Sequence, residues 1–345
     1  LEASTAADFT GTLFSSVTPN VSLSTLTISG LEGGATYYFR AASINHNDVP
    51  NYTFVGSTRT LAIPPTSPVI VAVNVSSITV SFGTVGALGY VVEASTNLNF
   101  VPGTVLSSAT AAQATQLSVQ GLDPNTTYFL RAGALWAQTT YYANTTPAST
   151  STLALATQNA AIAQVYFTSV TVNWTALAVS PSSMSAQGYR LDASTAADFT
   201  GTLFSSVTPN VSLSTLTVSA LTSATTYYFR VGSLNSNEVP NFVFVGSTQT
   251  TAPAPSAPVL TAVNVSSITV SYGTVGALGY VIEASSKSDF EVGTILSSAT
   301  AVQATQLTVF GLDSNTTYYL RAGALWNQTT YYANTTPAST SRVRD

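Results

Sequence analysis

Residues 77–94 read SITVSFGTVGALGYVVEA, and the alternation of apolar and polar side chains in this stretch decides the fold. Ile78, Val80 and Phe82 alternate with small polar residues, and the same period of two resumes at Tyr90 after a glycine-containing turn. A period of two places one face of a strand in a core and the other in solvent. The stretch therefore predicts two β-strands, each with one buried face.

Short alternating segments of this kind recur along the whole chain and are separated by glycine, proline, asparagine and serine. The abundance of threonine, valine and tyrosine favours strands, and no stretch shows the 3.6-residue period of a helix. Many short strands with regular turns are typical of β-sandwiches and barrels. The sequence thus predicts an all-β protein.

The chain repeats itself at a spacing of 190 residues. LEASTAADFTG at residues 1–11 returns as LDASTAADFTG at residues 191–201, and GALGYVVEAS at residues 86–95 returns as GALGYVIEAS at residues 276–285. Each repeat has two related halves, because a short motif ending in tyrosine recurs after 91 residues. A period of this kind indicates two alternating types of domain in tandem.

Proline-rich segments mark two domain boundaries. LAIPPTSP at residues 61–68 precedes the second domain and TAPAPSAP at residues 251–258 precedes the fourth, and proline holds such segments extended. Residues 145–159, between the second and third domains, contain less proline, and we expect them to bend more. The predicted domains are residues 1–62 (incomplete), 63–150, 151–252 and 253–345.

Every domain contains a leucine followed by a short polar stretch that ends in Thr-x-Tyr or a close variant. The clearest copy is LDPNTTY at residues 122–128, and in the first domain Ala35 replaces the threonine. The motif resembles the corner between the fifth and sixth strands of fibronectin type III domains. The resemblance implies tandem immunoglobulin-like β-sandwiches in which a tyrosine hydroxyl bonds to upstream backbone, here Tyr37, Tyr128, Tyr227 and Tyr318.

The first domain is predicted to lack its first two strands. Leu1 aligns with Leu191, and the segment that precedes Leu191 in the third domain has no counterpart ahead of Leu1. An incomplete sandwich exposes core side chains and unpaired strand edges. Two explanations are open: the sequence is a window of a longer array, or a neighbouring subunit supplies the missing strands by strand addition.

An acidic residue and an arginine recur at the same spacing in every domain. If Tyr90 and Tyr128 point inward, Glu93 and Arg131 point outward on strands that neighbour each other in a type III sandwich. The same spacing occurs in every domain of a chain that has few charges, which favours structural pairing over catalysis. The predicted cross-strand pairs are Glu2–Arg40, Glu93–Arg131, Asp192–Arg230 and Glu283–Arg321.

No residue pattern predicts catalysis, a metal site or a cofactor. The sole histidine, His46, has Ser236 as its counterpart, so a general base or metal ligand is disfavoured. The asparagine-rich loops 45–51 and 235–241 each hold one carboxylate, which favours turns over calcium sites. Cysteine is absent, and no Gly-x-Ser-x-Gly or phosphate-binding loop occurs. The sequence leaves open a carboxylate pair of the glycosidase kind, drawn from distant segments.

The amino-acid composition limits the kinds of partner and the cellular location that can be expected for the chain. Charged residues make up 7% of the chain and the net charge is −5, which argues against nucleic acid as a partner. No apolar run has the length of a membrane-spanning segment. The serine, threonine and asparagine coat suits a secreted or cell-surface protein.

Asn-x-Ser/Thr sequons are frequent, and most fall at predicted turns or strand ends, where a glycan fits. O-linked sugars on the many serines and threonines are a further prediction. The predicted N-glycosylation sites are Asn20, Asn51, Asn74, Asn125, Asn144, Asn173, Asn210, Asn264, Asn315, Asn327 and Asn334.

Two tryptophans, Trp136 and Trp326, lie at the ends of predicted strands. We expect them to cap a core or to pack on the next domain; stacking on sugar rings is the alternative. Together these patterns favour a non-enzymatic structural component of an extracellular filament, surface layer or adhesin stalk that associates with itself. The alternative is a carbohydrate- or protein-binding accessory module of a larger surface protein or secreted enzyme.

Overall fold

The computed structural model describes residues 1–341, whose regular secondary structure is almost entirely β-strand, so the all-β prediction is confirmed. Ser182–Met184 forms one short 3-10 turn. The chain divides into two compact units. Unit 1 comprises Leu1–Leu155 with Ala178–Gln187 and Leu234–Pro240, and unit 2 comprises Ala156–Leu177, Gly188–Ser233 and the chain from Asn241.

Unit 1 begins with a four-stranded antiparallel sheet in the order β2-β1-β3-β4. Its strands are β1 Glu2–Ser4, β2 Leu13–Ser15, β3 Thr36–Ile44 and β4 Pro50–Arg59. Residues 25–28 are the counterpart of a strand in the third domain but form no strand here. The strand that pairs with this segment in the third domain aligns with positions ahead of Leu1, and apolar side chains beside residues 25–28 are solvent-exposed, with Val21 at 99%.

The second domain, also in unit 1, is a complete seven-stranded sandwich. Its strands are β5 Thr66–Val73, β6 Ser77–Gly83, β7 Gly89–Ser95, β8 Val105–Thr110, β9 Gln116–Gln120, β10 Thr127–Trp136 and β11 Thr139–Ser151. Three strands (β5, β6 and β9) face four (β8, β7, β10 and β11), and the parallel pair Val69–Thr146 joins the two sheets. The alternating stretch 77–94 supplies much of the core, and the rings of Phe82 and Tyr90 lie 5.1 Å apart.

The third domain repeats this plan, and most of its strands lie in unit 2. One sheet contains β12 Gln158–Val165, β13 Val170–Thr175 and β16 Thr215–Val218. The other has the order β15-β14-β17-β18, with β14 Gly188–Ser194, β15 Leu203–Thr208, β17 Thr226–Leu234 and β18 Pro240–Gln249. The core packs Trp174 on Tyr189, with ring centroids 4.9 Å apart.

The fourth domain has the same strand order as the second, β22-β21-β24-β25-β19-β20-β23. The strands are β19 Ser256–Val263, β20 Ser267–Gly273, β21 Gly279–Ser285, β22 Ile295–Thr300, β23 Gln306–Phe310, β24 Thr317–Trp326 and β25 Thr329–Ser341. Val259 and Thr336 form the parallel pair that links its two sheets.

The segment between the second and third domains differs from the expectation of a bending linker. Strand β11 continues through it as far as Ser151, which pairs with Thr127 of β10. Ser151 and Thr152 are buried, and the Thr152 hydroxyl donates a hydrogen bond to the carbonyl of Asp123 at 2.6 Å. The prediction was wrong for residues 145–152, because the strand pairs with its neighbour along this length.

Replacing Tyr272 by phenylalanine should raise the unfolding free energy of the fourth domain by about 1 kcal/mol. The Tyr272 hydroxyl is buried without a hydrogen-bond partner among residues 1–341, and the second domain has Phe82 at this position. The matched control is Tyr280→Phe, which should destabilise, because the Tyr280 hydroxyl bonds with both backbone groups of Val275. Urea denaturation with hydrogen exchange of β20 and β21 measures both changes.

The substitution Tyr272→Phe should also change how the unfolding free energy depends on pH. Burial raises the pKa of Tyr272 from 10.0 to about 12. Because the folded-state pKa lies above the unfolded value, Tyr272 loses its proton more easily in the unfolded chain, and the unfolding free energy falls as the pH rises from 10 towards 12. Tyr272→Phe should therefore reduce the loss of stability over this alkaline range. Equal losses in the two proteins, or destabilisation by Tyr272→Phe at neutral pH, would contradict the assignment.

Candidate functional site

A tyrosine corner occurs in all four domains. In the second domain the backbone N–H of Asp123 donates to the Tyr128 hydroxyl at 3.0 Å. This bond spans five residues and fixes the turn that leads into β10. Burial is the main reason that the pKa of Tyr128 is raised. The other three corners have the same 3.0 Å bond, from Glu32 to Tyr37, from Thr222 to Tyr227 and from Asp313 to Tyr318.

Each cross-strand arginine contacts its acidic partner. Glu93 on β7 lies opposite Arg131 on β10, and the Arg131 Nε donates to Glu93 Oε2 at 2.8 Å. Both side chains are mostly buried, with 25% of the arginine and 15% of the glutamate exposed. The corresponding Nε–carboxylate distances are 2.7 Å for Arg40–Glu2, 3.0 Å for Arg230–Asp192 and 2.8 Å for Arg321–Glu283.

Two aromatic rings enclose each of these guanidinium groups, and sequence reasoning missed them. The Arg131 guanidinium carbon lies 4.0 Å from the centre of the Phe100 ring and 3.8 Å from that of Tyr142. Such contacts attract a cation to the face of the ring. We call the carboxylate, the arginine and its two rings the arginine cluster. The other three enclose Arg40 between Phe9 and Tyr52, Arg230 between Phe199 and Phe242, and Arg321 between Phe290 and Tyr332.

The phenylalanine of each cluster has a positive φ, a conformation that is rare for a bulky side chain. The φ values are 61° for Phe9, 51° for Phe100, 62° for Phe199 and 54° for Phe290. The conformation turns the chain after the acidic strand and brings the ring over the arginine. A signal was present in the sequence, since the phenylalanine precedes its arginine by 31 residues in every domain.

The second carboxylate oxygen is also bonded. The Tyr142 hydroxyl donates to Glu93 Oε1 at 2.7 Å, and burial, together with this bond to a carboxylate, raises the pKa of Tyr142. Burial would raise the pKa of Glu2, but the hydrogen bonds from Tyr52 and Arg40 outweigh it and the net pKa is lowered. In the third domain phenylalanine replaces the tyrosine, and Asp192 instead binds the Ser205 hydroxyl and Arg190. The clusters are therefore closed networks of bonded charges.

The other arginine and lysine side chains within residues 1–341 are also bonded. Arg59 Nε donates to the carbonyl of Gly34 at 2.6 Å, and its guanidinium carbon lies 4.5 Å from the Trp136 ring centre. Lys287 pairs with Glu291. No group of three or more metal-binding side chains occurs within residues 1–341. The arginine and lysine side chains of this part of the chain thus serve packing and pairing.

The asparagine-rich loops form turns around their first asparagine. Asn45 Oδ1 accepts the backbone N–H groups of Asn47 and Val49, both at 2.9 Å. Asn235 makes the same two bonds, to Asn237 at 3.0 Å and to Val239 at 2.9 Å. His46 is exposed in the first of these loops. The side-chain oxygen of the asparagine is therefore used by backbone and is not directed to an ion.

Ten of the eleven sequon asparagines are exposed, and Asn125 is the exception. Asn125 is 4% exposed, its Nδ2 donates to the carbonyl of Ser182 at 3.3 Å, and its Oδ1 accepts the Ser236 hydroxyl at 3.1 Å. A glycan on this Nδ2 does not fit the packed site. The prediction of a glycan at Asn125 is therefore corrected, while the other ten sites stay predictions.

The tryptophans do not form an exposed platform. Trp326 is 5% exposed and belongs to the core of the fourth domain, and Trp136 packs partly against the core of the second. Exposed aromatic surface occurs elsewhere in unit 2, around a cavity of about 620 Å³. The cavity is lined by Val165, Tyr166, Phe167, Thr251, Ala252, Pro253, Ala254, Tyr331 and Tyr332.

Strand order and cores define the class of protein: all-β domains of the sandwich kind, arranged in tandem. No family model and no curated protein matches the chain. Among solved structures, the FN1–FN3 domains of chicken CNTN1 are 14% identical with a TM-score of 0.26, covering 82% of this chain and 99% of that one. A two-domain fibronectin type III segment of chicken tenascin is 13% identical with a TM-score of 0.37, covering 54% and 98%. No helix within residues 1–341 is long and apolar enough to cross a membrane.

Proposed function

We propose that the chain is a non-enzymatic structural component of an extracellular filament, surface layer or adhesin stalk, and that it associates with itself. The observation that supports this proposal is the fourfold arginine cluster. An arginine bonded to a carboxylate and enclosed by two rings recurs on the corresponding sheet of every domain, and each cluster uses its charges to hold strands and rings together. An active site needs groups with unused capacity to transfer protons or attack a substrate.

Export fits the surface chemistry. The exposed sequons and the small number of charges suit a secreted or cell-surface protein that carries glycans. Cryo-electron microscopy of native material, with mass spectrometry of its peptides, tests the proposal. We expect ordered filaments or arrays, sugars on exposed sequons and an unmodified Asn125. Isolated monomers without sugars in the native material would contradict the proposal.

A binding module is the second candidate, and the cavity of unit 2 favours it. Tyr166 and Phe167 are about half exposed at its edge, at 48% and 49%, and aromatic faces of this kind suit sugar rings or apolar peptide groups. Binding to immobilised oligosaccharides that is lost in Tyr166→Ala, together with the absence of arrays, would favour this second function.

A further inference from the structure

The arginine cluster of the third domain differs from the other three in its charge. Each of the other three pairs one arginine with one glutamate. In the third domain the fully buried Asp192 is shared by two arginines, Arg230 at 2.9 Å and Arg190 at 2.7 Å, so the cluster carries one positive charge in excess. Within residues 1–341 no ion pair joins either arginine to a second carboxylate, although the net charge of the chain is −5.

Arg190 holds the accessible part of this charge. Its side chain is 34% exposed, compared with 23–26% for the arginines that the ring pairs enclose. Nε donates to Asp192 and Nη2 to the Ser205 hydroxyl at 3.2 Å, and a guanidinium has more N–H donors than these two bonds use. In the second and fourth domains this position is a buried valine, Val91 or Val281.

Exposed apolar side chains surround the Arg190 guanidinium. Val207 lies opposite Arg190 on β15 and is 59% exposed. The ring centre of Phe242 on β18 is 5.9 Å from the guanidinium carbon. Phe244, two residues further along β18 and therefore on the same face of the sheet, is 59% exposed. We call Arg190, Val207, Phe242 and Phe244 the arginine face.

The second and fourth domains also differ from the third at the position of Phe244. Phe244 corresponds to Phe54, which lies opposite Arg40 in the first domain. The residues opposite the cluster arginines of the second and fourth domains are the sequon asparagines Asn144 and Asn334. These two domains therefore lack both the exposed ring and the additional arginine.

We propose that the arginine face binds an acidic polysaccharide, with a sugar carboxylate on Arg190 and the adjacent sugar ring on Phe244. A guanidinium binds a carboxylate through two N–H groups, and an exposed aromatic ring buries the C–H face of a sugar. The arginine face is the outer surface of a sheet, where a small molecule buries little area but a polymer contacts several residues along the strands. This binding activity goes beyond the proposed structural function, and its site shares no residue with the cavity at Tyr166.

Isothermal titration calorimetry of the whole chain with polygalacturonate tests the site. We expect binding that weakens with added salt, and about tenfold weaker binding in Arg190→Met, which removes the charge and the N–H donors. Arg190→Lys keeps the charge without the fork of donors and should have an intermediate affinity. Asp192 keeps its bonds to Arg230 and Ser205 in Arg190→Met, so this variant should remain folded, which its urea transition verifies.

Matched variants and polymers separate the ring from the charge. Phe244→Ala should weaken binding about fivefold. Phe310→Ala removes a phenylalanine that is 70% exposed on β23, and it should leave the affinity unchanged. Methyl-esterified polygalacturonate has the same rings without the charge, and polyglutamate has carboxylates without sugar rings. Each of these two polymers should bind about tenfold more weakly than polygalacturonate.

Three results would overturn the proposal. The first is the absence of binding to polygalacturonate, and the second is an equal affinity of the wild-type chain and Arg190→Met. The third is an equal affinity for polyglutamate, which would show that the face recognises charge alone and no sugar. Assembly is measured separately: native filaments whose subunits do not bind polygalacturonate would leave the structural function standing while this site is wrong.

Discussion

Asn235→Ala should lower the unfolding free energy of unit 1 by about 3 kcal/mol, a large effect for a single polar residue. The side chain makes four hydrogen bonds, two within its loop and two to the carbonyls of Ser151 and Thr152. Truncation leaves these backbone groups without a partner in a site that solvent reaches poorly, and each buried group without a partner costs about 1–3 kcal/mol. The expected loss of about 3 kcal/mol is smaller than the sum of these separate costs because the loop relaxes after the truncation.

The control for this prediction is Asn45→Ala. Asn45 makes the same two bonds within its loop, but the loop is exposed and water replaces them, so we expect a loss below about 1 kcal/mol. Urea denaturation gives the totals, and hydrogen exchange of residues 145–155 locates the change. Faster exchange there only in Asn235→Ala is the expected pattern. Equal losses in the two variants would mean that the contact with Ser151 contributes nothing.

The cross-strand acid–arginine pairs, which depend on alternation, could be predicted from the sequence. A period of two determines which side chains share a face, and the resemblance to type III domains made β7 and β10 neighbours. The sequence therefore placed Glu93 opposite Arg131, and the two residues are opposite each other in the structure. The tyrosine corners followed in the same way, because a bond across five residues depends only on local chain geometry.

The aromatic half of the cluster was not predictable by the same rule. Phe100 lies in a turn, where alternation ends, and its ring reaches Arg131 only because its φ is positive. Phenylalanine gives no indication of that conformation, which the surrounding contacts impose. A comparison of spacings among the four domains would have found the ring.

The burial of Asn125 was beyond sequence reasoning for a different reason. Its sequon and its turn position predict an exposed amide, and the counterpart Asn315 is exposed. The side chain is covered by Ser182 and Ser236, which lie more than 50 residues away along the chain. Contacts between distant loops are not encoded in local patterns, so two copies of one motif have different surroundings.

Arg131→Met should lower the unfolding free energy of the second domain by about 2–3 kcal/mol. Methionine keeps the packing of the arginine stem but removes the two bonds to Glu93, at 2.8 Å from Nε and 2.7 Å from the second nitrogen. It also removes the cation between the rings of Phe100 and Tyr142. The effect is smaller than for a fully buried pair because Glu93 is 15% exposed and reaches solvent when unpaired.

Arg190→Met in the third domain is the matched control, because it also removes an arginine that contacts the carboxylate of an arginine cluster. Asp192 then still holds Arg230 and the Ser205 hydroxyl, so we expect about 1 kcal/mol or less. A double-mutant cycle with Glu93→Gln separates the ionic contribution from the ring contacts. Hydrogen exchange supplies the local readout: residues 97–104, which hold Phe100 at its positive φ, should exchange faster in Arg131→Met only. If that turn keeps its protection, the guanidinium does not hold the ring, and the arginine cluster is only a surface ion pair.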